Sequence, residues 1–250
     1  PWHPWRMTQH ITSLSGAPAS RFAFGTMQFG DKADEAASAA MFEACFAAGI
    51  NHFDTAFVYT KGQSEQILGR LAAPHRERLI IATKVSYAEG NSPAVMRASL
   101  DTSRQRLNMD MVDILYLHRF DPDADLNASF ETFADMKSRG LIRYVGLSNF
   151  AAWQVMKAQN IAQKHGIRVD VMQPMYNLVK RQAEVEILPM CADQGILCAP
   201  YSPLGGGLLT GKYTGTTTGR ITENDMYAKR YAADWMHQAA LELGAIAAEL

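Results

Sequence analysis

Seven short runs of β-branched and apolar residues recur along the chain, each followed by a longer segment of helical spacing, and this alternation restricts the fold more than any other feature. The runs are "FAFGTMQF" (22–29), "INHFDT" (50–55), "LIIATKV" (79–85), "VDILYLH" (112–118), "IRYVGLS" (142–148), "VDVMQP" (169–174) and "GILCAPYS" (195–202). Helical spacing covers 33–48, 64–72, 93–107, 128–139, 151–165, 182–193 and 233–249. Local chemistry supports these limits. Asp31 or Asp34 can cap the first helix, Ser92 with Pro93 opens the third, and Gly49, Gly140, Gly166 and Gly195 stand where helices should stop. Each helix serves as one crossover between parallel strands, so the expected class is α/β: a (β/α)8 TIM barrel with an N-terminal β-hairpin near 11–23. Seven strands are one short of eight, and residue 250 falls inside the last helix; an eighth βα unit is expected to be missing from this chain.

A chain of 250 residues can bury one large core, and no low-complexity tract or linker marks a second domain. The expected organisation is a flexible leader, 1–10, and a single (β/α) barrel domain, 11–250, incomplete at its C-terminus. Met7 is a natural start within the leader "PWHPWRM", and "TGKYTGTTTGRITEND" (210–225) reads as a long, mobile polar loop. Lys and Arg number 24 against 25 Asp and Glu, so no overall field exists to attract nucleic acid or an anionic membrane; the expected partners are small molecules. Cys45, Cys191 and Cys198 form no CxxC pair and lie in apolar surroundings, as buried reduced thiols do. Without a bilayer-spanning apolar run or a secretory signal, the expected location is cytoplasmic. An oligomer is compatible with the sequence.

In a parallel barrel, reactive groups come from the C-terminal ends of different strands, which open onto one face. Polar residues interrupt the apolar runs at that end every time. The second strand ends at Asp54 with Tyr59 in its loop, the third presents Lys84, and the fourth stops at His118. The fifth gives Ser148 and Asn149, the sixth Gln173, and the seventh Tyr201 and Ser202. Singly, each has a structural explanation as a cap, a snorkelling lysine or a packed histidine. Four ionisable groups of complementary type on one rim favour a shared site. The carboxylate and histidine clustering that a metal-dependent isomerase or aldolase needs is missing from these ends, and no metal is expected.

These blocks, from "FGTMQFG" through "GINHFDTAFVYTKGQSEQILG", "ATKV", "VDILYLHRFD", "GLIRYVGLSNF" and "QPMYNL" to "YSPLGGGLLTGKY", resemble the aldo-keto reductases from about residue 20 onward. The branch they look most like includes bacterial reductases and the potassium-channel β subunits. The resemblance implies an NADP(H)-dependent oxidoreductase that reduces an aldehyde or ketone, with catalytic Asp54, Tyr59, Lys84 and His118. A side chain cannot supply hydride, so a nicotinamide must. A tyrosine hydroxyl becomes a suitable acid when a cation lowers its pKa from about 10. Lys84 is that cation, and Asp54 can keep it ionised. His118 would direct a ring N–H to the substrate oxygen or assist proton delivery.

The resemblance further implies that Ser148, Asn149 and Gln173 hold the nicotinamide carboxamide and that Tyr201 stacks on its ring. Gly25, Thr26, Met27 and Asp54 match the first two strands' contributions. Ser202, Pro203, Leu204, Gly205 and Gly206 would drape along the pyrophosphate, with Lys212 and Arg220 adding charge. The nearby "GGLLTGKY" (206–213) narrowly misses a phosphate loop of nucleotide triphosphatases, because Tyr213 stands where a short hydroxyl must reach magnesium. No GxGxxG follows the first strand, so a Rossmann sheet is not expected. Tyr87 is a candidate wall of the substrate pocket; Phe57, Trp153 and Trp235 are further candidates for it, with core packing the expected role of each. The segment with which the family grips a 2'-phosphate would follow Leu250, so NADP(H) in preference to NAD(H) rests on family habit alone. A second reading from the same resemblance is a nicotinamide-sensing regulatory subunit with slow turnover.

Overall fold

The computed structural model describes residues 10–85, 87–213 and 217–249, which form two compact units. The first runs to Gln173 and takes up again over Met190–Ala199; the second comprises Pro174–Pro189 and Pro200–Leu250. The expected leader, apart from His10, lies outside the described residues.

The first unit holds one sheet of seven parallel strands in the order of the chain: β1 (Ala23–Gly25), β2 (His52–Asp54), β3 (Ile80–Val85), β4 (Val112–Leu117), β5 (Ile142–Ser148), β6 (Val171–Gln173) and β7 (Leu197–Cys198). Between them come α1 (Glu35–Ala47), α2 (Gln63–Ala72), α3 (Pro93–Leu107), α4 (Leu126–Ser138), α5 (Ala152–Lys164) and α6 (Ile187–Gln194). Consecutive strands paired in parallel through crossover helices are the architecture of a TIM-type barrel. All seven anticipated runs contain a strand, although the first and last are pared to three and two residues. After β1 the chain turns at once, with Phe29 N–H bonded to the Thr26 carbonyl at 2.9 Å. The N-terminal hairpin is also tighter than expected: Thr12 bridges Pro18, and Ala19 N–H reaches Ile11 O at 2.9 Å.

Helix starts follow local chemistry. Asp34 caps α1 by accepting from Ala37 N–H at 2.8 Å, and Ser92 caps α3 by accepting from Val95 N–H at 3.4 Å, with Pro93 in the first turn. Two files of side chains follow from the two-residue period of a strand. One file packs outward against the helices, as where the Phe42 and Phe53 rings meet with centroids 4.6 Å apart. Each such fully buried ring stabilises by about 1.5–3 kcal/mol. The other file makes a buried apolar cluster of Ile11, Ile80, Ala82, Ile114, Tyr116 and Val171. Continuing that file by two residues reaches Lys84 after Ala82, His118 after Tyr116 and Gln173 after Val171, so the polar groups cap an apolar stack.

Of the three thiols, all free, only Cys191 is buried; Cys45 and Cys198 are half-buried, which corrects the expectation of three buried cysteines. Trp153 is 61% exposed and Trp235 58%, so neither packs in a core.

The second unit has its own core of Val179, Leu208, Leu209, Ile221, Tyr227, Tyr231, Met236 and Ala240. Its elements are a 3-10 turn over Gly205–Thr210, then α7 (Arg220–Glu223), α8 (Asp225–Arg230) and α9 (Asp234–Ala248). The anticipated loop 210–225 is therefore partly helical at its far end; residues 214–216 lie outside the described residues. Helices of four and six residues are too short to show a 3.6-residue period in a sequence.

Candidate active site

At the C-terminal end of β2, Asp54 pairs in register with Gly25 and Ala82 of the flanking strands. The following loop is tied to β3 by Thr55 N–H to Ala82 O at 2.9 Å and Phe57 N–H to Lys84 O at 3.0 Å. Tyr59 then opens a tight turn in which Thr60 and Lys61 both take left-handed backbone angles, φ 47° and 55°. Such angles are costly for residues with a Cβ and persist only where the surroundings hold them. Here the Thr60 hydroxyl donates to Phe29 O at 2.9 Å and accepts from Ser64 N–H at 2.8 Å. A second clamp uses Glu65, fully buried, whose carboxylate accepts from the Thr83 hydroxyl at 2.7 Å and from Arg106 at 3.1 Å. The same guanidinium nitrogen donates to Phe57 O at 2.9 Å and the guanidinium lies over the Phe57 ring at 4.5 Å.

The result brings the four candidate catalytic residues together. Lys84, 1% exposed, donates from Nζ to the Asp54 carboxylate and to Thr55 O at 2.8 Å, and Nζ lies 3.5 Å from the Tyr59 hydroxyl. Burial opposes the charge on Lys84, but Asp54 and Tyr59 outweigh it, and its pKa is raised above the ordinary lysine value. His118 is buried edge-on to Tyr59, with ring centroids 6.1 Å apart, and to Tyr87 at 4.8 Å. Burial, with Lys84 and Arg119 nearby, pushes its pKa down to about 3, so the imidazole is neutral at ordinary pH. Its buried Nδ1 has no hydrogen-bond partner among the described residues.

Three more predicted residues join the same rim. Gln173 donates to the second Asp54 oxygen at 3.0 Å, Ser148 donates to Gln173 O at 3.1 Å, and the Asn149 amide donates to His118 O at 2.8 Å. Asn149 holds a left-handed φ of 58°, which asparagine tolerates better than most residues. Thr26 is wholly buried and its hydroxyl is engaged with Asp54 O and Ser64, so its side chain braces β1 against β2. Gly25 and Met27 flank it. Beneath Lys84 lies the Tyr116 ring, 5.8 Å from Nζ, seated against Gly146, where a Cβ would stand 2.3 Å from the ring.

The remaining candidates belong to the second unit. Tyr201 N–H bonds to Pro174 O at 2.9 Å, and Asn177 holds Ser202 by its carbonyl at 2.9 Å. Ser202, Gly205, Gly206 and Gly207 all take left-handed angles, and Pro203 and Leu204 connect them. A Cβ on Gly206 would meet the Tyr227 ring at 2.9 Å, so the glycine is required by packing as well as by φ. Lys212 lies over the Tyr213 ring at 5.1 Å and Arg220 over Tyr227 at 5.3 Å.

Sequence reasoning missed the supports of the Tyr59 loop, namely Thr60, Glu65 and Arg106. A charged residue in the first turn of an amphipathic helix gives no sign that it is buried. A cleft of about 450 Å³ lined by Gln66, Gly69, Arg70, Ala73, Arg106 and Asn108 lies between α2 and α3 and includes none of the converging residues. Among the described residues no group of His, Cys, Asp and Glu could hold a metal, and no helix is long and apolar enough to cross a membrane.

Comparison with known proteins gives the family to which this fold belongs. The model of the family described as "Aldo/keto reductase family" matches residues 21–250, and the chain belongs to that family. Aflatoxin B1 aldehyde reductase member 2 of Rattus norvegicus is 39% identical over 208 residues, 80% of this chain and 57% of the rat protein. The uncharacterized oxidoreductase YrpG of Bacillus subtilis (strain 168) is 34% identical over 248 residues, 92% of this chain and 74% of that protein. A probable voltage-gated potassium channel subunit beta of Oryza sativa subsp. japonica is 32% identical over 211 residues, 80% of this chain and 64% of that protein. The chain thus spans under three fifths of the rat relative's length.

Proposed function

We propose that the protein is an NADP(H)-dependent reductase of aldehydes or ketones, with Tyr59 as the proton donor. The observation that carries this reading is a single buried ammonium, Lys84, shared between the Asp54 carboxylate and the Tyr59 hydroxyl. Family membership and the aldehyde named for the rat relative support it.

The family's nicotinamide cofactor, when bound, supplies the hydride. The residues present suit its carboxamide, which offers both donors and an acceptor. Gln173 commits one amide N–H to Asp54, leaving its other amide capacity beside the Ser148 hydroxyl and Asn149. In the second unit, the glycine-rich turn at Ser202–Gly206 with Lys212 and Arg220 has the composition an anionic phosphate needs, and Tyr201 the flat face a heterocycle needs. Preference for NADP over NAD is part of the proposal.

The side chains act on the proton. As a carbonyl oxygen gains charge, Tyr59 Oη gives up its proton, and the Lys84 ammonium stabilises the phenolate left behind. Asp54 keeps Lys84 ionised where burial would otherwise favour the neutral amine. Neutral His118 has one ring N–H to offer the substrate oxygen without competing with Tyr59 as a cation. Tyr87 and Phe57 stand close enough to His118 and the Tyr59 loop to wall a substrate pocket. Free thiols and the absence of a membrane-crossing helix among the described residues are compatible with a cytoplasmic location.

The test is Tyr59→Phe. Oxidation of NADPH by a panel of aldehydes should fall by about 100-fold or more, as for loss of a general acid, while cofactor still quenches tryptophan fluorescence. Near-normal turnover in that variant would remove Tyr59 from the role. The rice relative's name supports a second reading, a nicotinamide-sensing subunit; a fast single turnover followed by very slow cofactor release would identify it.

A further inference from the structure

The proton chemistry above needs Lys84 to stay an ammonium although water is shut out from it. Its hydrogen bonds are committed to one region: Nζ donates to the Asp54 carboxylate and to Thr55 O at 2.8 Å, and lies 3.5 Å from the Tyr59 hydroxyl. A further neighbour offers no hydrogen bond. Lys84 and Tyr116 stand opposite one another in the register of β3 and β4, and Nζ lies over the Tyr116 ring at 5.8 Å from its centroid. Lys84 is 1% exposed and Tyr116 0%, so the negative face of the ring acts on the ammonium unscreened by solvent.

The ring is held in that place from behind. Gly146 pairs with Tyr116 across β4 and β5, and a Cβ there would stand 2.3 Å from the ring, so the ring occupies space that any other residue on β5 would fill. Ala82, Ile114 and Val171 pack in the same cluster. Tyr116 Oη is buried with no hydrogen-bond partner among the described residues, and burial, with Asp54 and Cys198 nearby, pushes its pKa well up, so the phenol stays neutral. The titratable groups around Lys84 are Asp54, His52 and Tyr59 from β2 and its loop, and Tyr116 and His118 from β4. Burial lowers the pKa of His52 as it does that of His118, and Asp54 supplies the one negative charge. A second carboxylate at this place would cancel the field that a phenolate at Tyr59 needs, and an aliphatic side chain would give the ammonium nothing. A neutral aromatic face stabilises the cation without neutralising it.

We infer that Tyr116 is a positioning residue of this site: its ring is the floor that keeps the Lys84 ammonium charged and aimed at Asp54 and Tyr59. The inference deepens the reductase reading and rests on it for the proton-transfer step. Tyr116 itself touches neither the carbonyl nor the proton.

The test compares Tyr116→Leu and Tyr116→Phe with Ile114→Ala, which opens a cavity in the same apolar cluster without touching the ring. With the best aldehyde of the panel at neutral pH, Tyr116→Leu should lower kcat about tenfold with KM and NADPH quenching little changed, while Tyr116→Phe and Ile114→Ala keep kcat within about twofold of the parent. The Lys84 ε-carbon, followed by carbon NMR of lysine-labelled protein, should titrate about one pH unit lower in Tyr116→Leu than in the parent or Tyr116→Phe. Tyr116→Met, nearer to tyrosine in volume, is a second variant read in the same way should Tyr116→Leu not fold. Full kcat without the ring, or an equal fall in Tyr116→Phe, overturns the assignment; so does a loss in Ile114→Ala that matches Tyr116→Leu, because the effect is then one of packing. An ε-carbon midpoint that is unchanged or higher without the ring overturns it on the charge itself. The NMR measurement needs no turnover: if the parent oxidises neither NADPH nor NADH with any aldehyde or ketone, the reductase reading fails, and the midpoints still decide whether the ring holds the charge.

Discussion

Replacing Lys84 with methionine keeps an unbranched stem and removes the ammonium from a site where it is 1% exposed. The Asp54 carboxylate then keeps only the Gln173 N–H, at 3.0 Å, of its two side-chain contacts. Removing one member of a buried ion pair costs about 3–5 kcal/mol, because the survivor retains its desolvation penalty without the Coulomb attraction that offset it. At about 2–4 °C per kcal/mol for a chain of this size, Tm should fall by roughly 6–20 °C. Equilibrium urea unfolding at neutral pH, followed by tryptophan fluorescence, should show a lower midpoint with an unchanged slope. The double variant Asp54→Asn with Lys84→Met removes both charges. Its loss should be smaller than the sum of the singles by about 1–3 kcal/mol, the coupling expected of side chains in contact. The pH dependence has a definite sign. The folded pKa of Lys84 is raised, so its contribution is complete below the unfolded value near 10.4 and fades only as pH climbs through the higher folded value. Stability lost by Lys84→Met of under about 1 kcal/mol, or strictly additive singles, would refute the claim that this ion pair organises the site.

His118 should remain neutral well below the usual histidine range: its imidazole nitrogens, followed by NMR, should show no titration between pH 7 and 5, and a midpoint near 6.5 would refute that. The sign follows. The unfolded chain takes up a proton near pH 6.5 that the folded chain refuses until about 3, so this residue weakens the fold progressively as pH falls between those values, by about 1.4 kcal/mol per pH unit. Gly62→Ala should destabilise by more than about 2 kcal/mol, since it forces a Cβ to φ 94° and to within 2.5 Å of the Arg106 guanidinium. Turnover should fall with it, because Arg106 is displaced from Glu65 and from the Tyr59 loop; thermal melts and aldehyde-dependent NADPH oxidation check both halves.

Much of this architecture was legible because it is written locally. The short β-branched and apolar runs marked the strands, Asp34, Ser92 and Pro93 marked helix starts, and Gly49, Gly140, Gly166 and Gly195, with φ from 61° to 81°, marked their ends. The rim was legible as well, because Asp54, Lys84, His118, Ser148 and Gln173 each break an apolar run at the same end. What surrounds the rim was not. Glu65 and Arg106 stand 41 positions apart and meet only because α2 and α3 approach until a Cβ on Gly69 would lie 2.2 Å from Leu107 O. The exposed Trp153 reads in sequence as core material, and its hydrophobicity could not say which side of α5 it would occupy.

The amino-acid sequence by itself determined the alternation of strands and crossovers, the family, and which polar residues stand at strand ends. These depend on periodicities and caps that operate within a few residues. Only the tertiary structure decided that Lys84 lies between Asp54 and Tyr59, that His118 is neutral, and that the Tyr59 loop is held in left-handed angles by Thr60, Glu65 and Arg106. Those outcomes depend on burial and on distances between residues far apart in the chain. The free energy of a charge or a strained turn is set by what packs around it, which no local pattern records.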